Sequence, residues 1–140
     1  MLKTIPGVGA RTAISYKTSI DDPTRFTSVA DVGAFLGLTP KRYQSGEVDR
    51  NGGISKHGSR QTRSLLYEAV SCLLTRYGKH TVSCLLTRYG KHTTLAAWAT
   101  KLRERLGFKK AVVALARKLS TLMLSMWRSG EVYRSEIASV

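Results

Sequence analysis

The chain has 140 residues, enough for one domain with a modest core, and it carries a formal net charge of +14. This excess of Lys and Arg favours a polyanionic partner, DNA or RNA, over a membrane surface. No apolar run approaches the ~20 residues that span a bilayer, and the N-terminus lacks a signal-peptide pattern. Cys72 and Cys84 are too few for a disulfide framework, so the sequence predicts a cytoplasmic protein without membrane contact.

The first element is an apolar-Pro-Gly-apolar-Gly turn, residues 5–9, followed by a small-residue helical run over residues 10–19. This pattern is typical of the hairpin in a helix-hairpin-helix module. Gly7 and Gly9 would allow a tight turn, and the helix N-terminus, assisted by Arg11, would hold a phosphate. A plain turn between helices is the alternative. Only four residues precede the turn, so the first helix of such a module is clipped.

A short helix is predicted next, after Asp21-Asp22-Pro23 breaks the first one. The segment Ser28-Val29-Ala30-Asp31 reads as a capping box that opens this helix. Gly37 is a suitable residue to end it.

The stretch from Leu36 to Arg63 contains six Lys or Arg residues, two acids and four glycines beyond Gly37. It is too polar to be core, and we expect an irregular, glycine-rich basic loop between Leu38 and Ser59. Closely spaced glycines let backbone N–H groups approach a ligand, which together with the positive charge suits a phosphate backbone. A solvated basic loop is the alternative. The candidate nucleic-acid contacts here are Arg42, Gly46, Lys56, Arg60 and Arg63, and the candidate nucleophiles are Ser45, Ser55 and Ser59.

Ser59 or a neighbour is expected to cap the following helix, with Arg60 and Arg63 on one face of its first turn. Cations at a helix N-terminus oppose the helix dipole, and a bound anion would compensate for this. Simple exposure to solvent is the other explanation.

An internal repeat follows, because the twelve residues VSCLLTRYGKHT occur over 70–81 and again over 82–93. The period is too short for a solenoid, and a tandem duplication explains it most simply. The duplication also accounts for the metal-like spacing of Cys72, His80, Cys84 and His92, so no metal site is predicted. We expect Gly78 or Gly90 to break the helix and one copy to protrude, where exposed Leu and Tyr side chains would favour a homo-oligomer.

Two C-terminal helices are predicted, over residues 94–106 and 108–128, with Gly107 between them and a frayed tail over residues 130–140. The second has a stripe expected to be buried: Phe108, Val112, Leu115, Leu119, Leu122 and Met126. Its Lys110, Arg117 and Arg128 fall within roughly 20° of one another on a helical wheel. That line would follow a nucleic-acid backbone or form an ordinary solvated face. Trp98 and Trp127 are expected in the core or at helix contacts, and not as platforms on which bases stack. The fold class is therefore mainly α, with five or six helices.

Several motifs in this chain resemble the C-terminal domain of the IS110 family (IS116/IS110/IS902-type) of bacterial insertion-sequence transposases, which are bridge-RNA-guided serine recombinases. They occur in family order and cover nearly the whole chain, so that their combination is more specific than any one of them. The motifs are Thr4-Ile5-Pro6-Gly7-Val8-Gly9, Gly37-Leu38-Thr39-Pro40, Gln44-Ser45-Gly46, Gly53-Ile54-Ser55-Lys56-His57-Gly58 with Arg60 and Arg63, Gly107-Phe108-Lys109-Lys110-Ala111, and Ala114 to Leu119 with Met126-Trp127-Arg128.

The resemblance implies that residues 1–140 are an N-terminally truncated copy of such a transposase. An acidic, RuvC-like domain that uses Mg²⁺ would be missing, and no cofactor is expected in this chain. A serine would attack the DNA phosphodiester and form a phosphoserine intermediate, with the sites selected by a guide RNA. Matching the motifs gives Ser45 as this nucleophile and Ser55 as second choice. Gly46 would admit the DNA backbone, and Lys56, Arg60 and Arg63 would neutralise phosphate charge.

The resemblance therefore implies a domain for DNA transposition and recombination that binds nucleic acid but does not cleave DNA alone. Whether the chain is an enzyme stays open. One alternative is a non-catalytic helix-hairpin-helix nucleic-acid-binding module. The other is a non-functional transposase remnant.

Overall fold

The computed structural model describes the backbone of residues 1–45, 48–79 and 94–133, and the side chains in these ranges except those of residues 42–51, 76–79, 94–97, 99 and 100. The described residues form five α-helices and one antiparallel β-hairpin, so the fold is mainly α as predicted. The elements are α1 (Ala10–Ile20), α2 (Asp31–Phe35), β1 (Pro40–Ser45), β2 (Val48–Ile54), α3 (Arg60–Lys79), α4 (Thr94–Leu106) and α5 (Phe108–Ser129), with 3-10 turns at Leu2–Thr4 and Pro23–Arg25.

Helix α5 is the centre of the core, and it contacts α2, α3 and α4. Its inner stripe, which includes Val112, Leu115, Leu119 and Met123, is fully buried. The predicted stripe is therefore largely confirmed. Phe108 and Leu122 are the exceptions. Phe108, the first residue of α5, is 38% exposed, and Leu122 is half-buried and lines a groove described below.

Helix α1 is joined to the first turn of α3 by a cluster of hydroxyl groups. Thr62 is fully buried and its Oγ1 donates to the carbonyl of Ser15, while the hydroxyl of Ser15 lies 2.8 Å from it. Tyr16, also fully buried, donates its hydroxyl proton to the carbonyl of Ser120 on α5. Burial raises the pKa of this phenol, because the charged form would be desolvated. These contacts fix the start of α3 relative to the core.

The predicted short helix is present as α2, and one bond of the predicted capping box is formed. The carboxylate of Asp31 accepts from the N–H of Ser28 at 3.1 Å. The predicted cap of α3 is also formed, since the Ser59 hydroxyl accepts from the N–H of Thr62 at 3.2 Å. Near the C-terminus, the N–H of Tyr133 donates to the hydroxyl of Thr4 at 2.9 Å, so the predicted frayed tail is tied down as far as this residue.

The prediction of an irregular loop between Leu38 and Ser59 was wrong. Strands β1 and β2 pair here as a hairpin, from Pro40 opposite Ile54 to Ser45 opposite Val48. Only two residues separate the strands, and a two-residue connection that begins with Gly is a hairpin signal. The charge and glycine content of the stretch hid this signal, because they are typical of a loop.

The first copy of the repeat lies largely within α3. Val70 and Leu74 are buried, and α3 continues through Gly78 to Lys79, so Gly78 does not break the helix. The second copy, with Gly90 and the predicted protrusion, lies outside the described residues.

Candidate nucleic-acid interface

The base of the hairpin is closed by two glycines from opposite sides of the stretch. Gly37 has a φ of +69° and Gly58 a φ of +72°, in the left-handed region that glycine adopts without steric cost. A Cβ at Gly37 would overlap the backbone of His57, and a Cβ at Gly58 would overlap the carbonyl of Phe35. The two ends of the hairpin therefore approach more closely than any other residue at these positions would allow.

Arg63 completes this closure from α3. Its Nη1 donates to the carbonyl of His57 at 2.8 Å and to the carbonyl of Leu36 at 3.1 Å. Backbone bonds run alongside, from the N–H of Ser55 to Thr39 and from the N–H of Lys56 to Gly37. Arg63 therefore has a structural role that the sequence did not reveal, and the phosphate contact predicted for it stays a prediction.

Ser45 is the last residue of β1, at the end of the hairpin away from this closed base. The five steps from Pro40 to Ser45, at ~3.3 Å each, carry the backbone roughly 16 Å away from the closed base. Arg42 also lies on β1 and pairs with Asn51 across the hairpin, while Gly46 falls outside the described residues. Between Pro40 and Arg42 the register shifts, so one extra residue of β2 forms a bulge at Gly52–Gly53.

Ser55 lies at the opposite end, just beyond β2. Its hydroxyl oxygen is buried and has no hydrogen-bond partner among the described residues. A phosphodiester would reach this atom only after a local rearrangement of the hairpin base.

The other predicted contacts are distributed over two regions. Lys56 and Arg60 are exposed beside the hairpin base, and Lys56 adopts a φ of +59°. Gly9 and Arg11 are exposed at the start of α1, whereas Gly7 packs on α3, where a Cβ would come within 2.7 Å of Leu73. The turn that opens α1 is present, with Ile5 and Val8 buried beneath it.

A groove of about 880 Å³ runs between the hairpin base and the outer face of α5. Apolar groups form most of its surface, including those of Leu38, Ile54, Trp98, Val113, Ala114 and Leu122. Its charged lining residues are all cations, namely Lys109, Lys110, Arg117 and Lys118 on α5.

Sequence reasoning singled out Lys110 and Arg117 but missed Lys109 and Lys118. The signal was present, because the two adjacent pairs are spaced seven to eight residues apart, which returns them to one helix face. Arg128, the third member of the predicted basic line, is exposed near the end of α5 and does not line the groove.

No group of three or more His, Cys, Asp or Glu side chains converges within the described residues to hold a metal ion. The described residues thus contain no carboxylate cluster of the kind that holds Mg²⁺. Nor is any helix in the described ranges both long and apolar enough to cross a membrane.

The chain belongs to the transposase IS116/IS110/IS902 family, whose family model matches residues 1–84. The resemblance predicted from the motifs is thereby confirmed.

Curated relatives extend the similarity over nearly the whole chain. A transposase for insertion sequence element IS1111A of Coxiella burnetii is 34% identical over 95% of this chain and 34% of its own length. The transposase for element IS1328 of Yersinia enterocolitica is 34% identical over 94% of the chain and 36% of its own length. A pilin gene-inverting protein of Moraxella bovis is 23% identical over 98% of the chain and 39% of its own length. The chain thus spans about a third of the length of these relatives.

Proposed function

We propose that the chain is the DNA-binding and serine-bearing domain of a transposase, and that it acts in DNA transposition and recombination. The observation that carries this proposal is the position of Ser45. This residue ends β1 on a hairpin whose base is closed by Gly37, Gly58 and Arg63. A hairpin held in this way can present its far end to a DNA backbone, while exposed Lys56 and Arg60 add positive charge at its base.

The proposed reaction is a transesterification at a DNA phosphodiester. The Ser45 oxygen bonds to phosphorus as the bond from phosphorus to the departing sugar oxygen breaks, which gives a phosphoserine and a free sugar hydroxyl. The serine proton leaves to a base, and the departing oxygen gains a proton. A serine hydroxyl is a poor nucleophile until a base or a metal activates it. We assign that activation to an acidic, Mg²⁺-dependent domain outside these 140 residues, so the chain alone binds DNA without cleaving it.

Ser45 is preferred over Ser55 because the family motif matches it. In addition, the Ser55 hydroxyl is buried at the hairpin base. Sites are chosen, in this proposal, by a guide RNA that the family resemblance implies.

The first test of this proposal measures duplex DNA binding by the purified chain across a salt series. We expect log affinity to fall linearly with log salt, with a slope that corresponds to about five or more phosphate contacts. Weak binding even at low salt would overturn the proposal. Non-cooperative unfolding of the same sample would instead support a non-functional remnant.

The second test joins the chain to an acidic family domain and compares Ser45→Ala with Ser55→Ala. Ser45→Ala is expected to abolish strand cleavage and the covalent protein–DNA product while leaving affinity within about twofold. Ser55→Ala is the matched control and should keep cleavage. Cleavage by Ser45→Ala, or metal-dependent strand transfer by the 140-residue chain alone, would contradict the assignment.

A non-catalytic helix-hairpin-helix module is the second candidate, and the N-terminal turn favours it. Its exposed Gly9 and Arg11 stand at the start of α1 above buried Ile5 and Val8. In this case Arg11→Gln should weaken DNA binding several-fold, and Ser45→Ala should change nothing in the completed protein.

A further inference from the structure

We propose that the groove along α5 binds unpaired nucleotides of DNA, with their bases against its apolar surface and their phosphates on its cationic rim. This inference rests on the proposed function and adds a second, structurally distinct mode of DNA contact. Duplex DNA would be bound at the hairpin and its base, and unpaired bases in the groove.

The charge of the rim identifies the ligand as a polyanion. Lys109 and Lys110 form one pair of cations and Arg117 and Lys118 a second, and no described lining residue is acidic. The pairs are seven to eight residues apart, so about two helical turns, ~11 Å, separate them along α5. A ligand that contacts both pairs therefore carries negative charge at more than one point along its length.

The apolar surface indicates that the polyanion also has apolar faces to bury. Paired bases in a duplex are stacked on one another and leave mainly phosphates, sugars and base edges outside. Unpaired bases expose both aromatic faces, and burying a base against a side chain contributes about 1–3 kcal/mol. A volume of about 880 Å³ lies at the upper end of the range for drug-sized ligands, ~300–1,000 Å³.

The wall opposite α5 also suits a nucleic-acid strand. It includes Gly52 and Gly53 at the bulge of β2, and a Cβ added at Gly53 would meet nothing within 4 Å. Here the protein presents backbone without side chains, so a sugar-phosphate chain can approach closely. An acidic amphipathic peptide shares the charge but gains less from a bare backbone wall.

Two tryptophans make a matched pair for testing this site. Both Trp98 and Trp127 are half-buried and pack against the core, and each has a lysine over its ring, Lys118 at 5.0 Å and Lys17 at 4.9 Å. Only Trp98 lines the groove. The sequence predicted Trp98 in the core or at a helix contact, and its packing against the core confirms this. The structure shows in addition that Trp98 lines the groove.

The experiment uses Trp127→Phe, which retains Trp98 as the reporter, and Trp98→Phe, which retains Trp127. Each is titrated with a twelve-nucleotide single-stranded DNA of mixed sequence and with the matching duplex. We expect the single strand to quench Trp98 emission at least twofold and to leave Trp127 emission nearly unchanged. The duplex should bind both variants and quench neither strongly.

Equal quenching of both tryptophans, or duplex binding without any response of Trp98 to the single strand, would overturn the groove assignment while the proposed function stands. Absence of binding to either DNA would remove the proposed function as well. Quenching of Trp98 by an acidic peptide rich in Glu, Leu and Phe, with none by the oligonucleotide, would assign the groove to a protein segment. If single-stranded RNA of the same sequence bound tenfold more tightly than the DNA, as measured by Trp98 quenching, the choice of DNA would be contradicted.

Discussion

The hairpin base and the groove lie side by side but are built in different ways. At the base, backbone contacts backbone, because Gly37 and Gly58 have no side chains. The Arg63 guanidinium donates hydrogen bonds to two carbonyls there. In the groove, one helix serves two purposes, since the inner face of α5 is core and its outer face carries Lys109, Lys110, Arg117 and Lys118. The contrast teaches that substitutions at the base should alter folding, whereas those on the outer face of α5 should alter binding alone.

Gly37→Ala is expected to give the largest loss of stability. A left-handed φ and an overlap with the His57 backbone together should cost about 3 kcal/mol of unfolding free energy. Urea denaturation measures it, with Gly53→Ala as the control, because that position is open and should change by less than ~0.5 kcal/mol. Equal effects at the two positions would show that the base is not held as described.

Arg63→Leu should come next, with a loss of about 2 kcal/mol, because the carbonyls of Leu36 and His57 lose a charged donor. Arg60→Leu, an exposed change in the same helical turn, should remain within ~0.5 kcal/mol. If both variants unfolded at the same urea concentration as the parent, the structural role of Arg63 would be refuted.

Tyr16→Phe removes the hydrogen bond from α1 to the Ser120 carbonyl on α5 and should cost about 1 kcal/mol, the usual contribution of a buried hydrogen bond. Tyr67→Phe is the control, since Tyr67 is 40% exposed. A loss of equal size for Tyr67→Phe would contradict the assignment.

The contribution of Tyr16 to the free energy of unfolding should depend on pH. Its folded-state pKa is raised by burial, so the stability it contributes is complete below the unfolded pKa of ~10 and declines above it. The difference between the parent and Tyr16→Phe should therefore shrink as pH rises from 9 to 11 in urea unfolding experiments. A difference that stays constant over this window would show that the phenol ionises equally in both states.

Lys109→Gln with Lys110→Gln should have the smallest effect on stability, since both residues are exposed. The slope of log affinity for single-stranded DNA against log salt should nevertheless decrease by about 1.4, for two lost phosphate contacts. Lys3→Gln with Lys101→Gln removes the same charge from exposed positions outside the groove and should leave the slope nearly unchanged. Matching slopes for the two double variants would indicate that net charge alone governs binding.

Sequence reasoning reached the helices because their signals are local. The apolar period of α5, the Ser59 cap and the Gly107 boundary each depend on residues within one or two turns. The hairpin was missed because its strands carry charge and glycine in place of alternating apolar residues. The closure by Gly37 and Gly58 joins positions 21 residues apart, and the groove joins β2 to α5, so neither is visible in a local pattern. Ser45 came from the family motif and stays a prediction.

The repeat that begins in α3 allows the effect of chain length to be tested directly. Deleting residues 70–81 or deleting residues 82–93 yields the same polypeptide, because the copies are identical. In that shortened chain, the buried places of Val70 and Leu74 are still filled by a valine and a leucine. Either copy can therefore supply the same buried side chains to the core. The extra copy changes only the number of residues between α3 and α4.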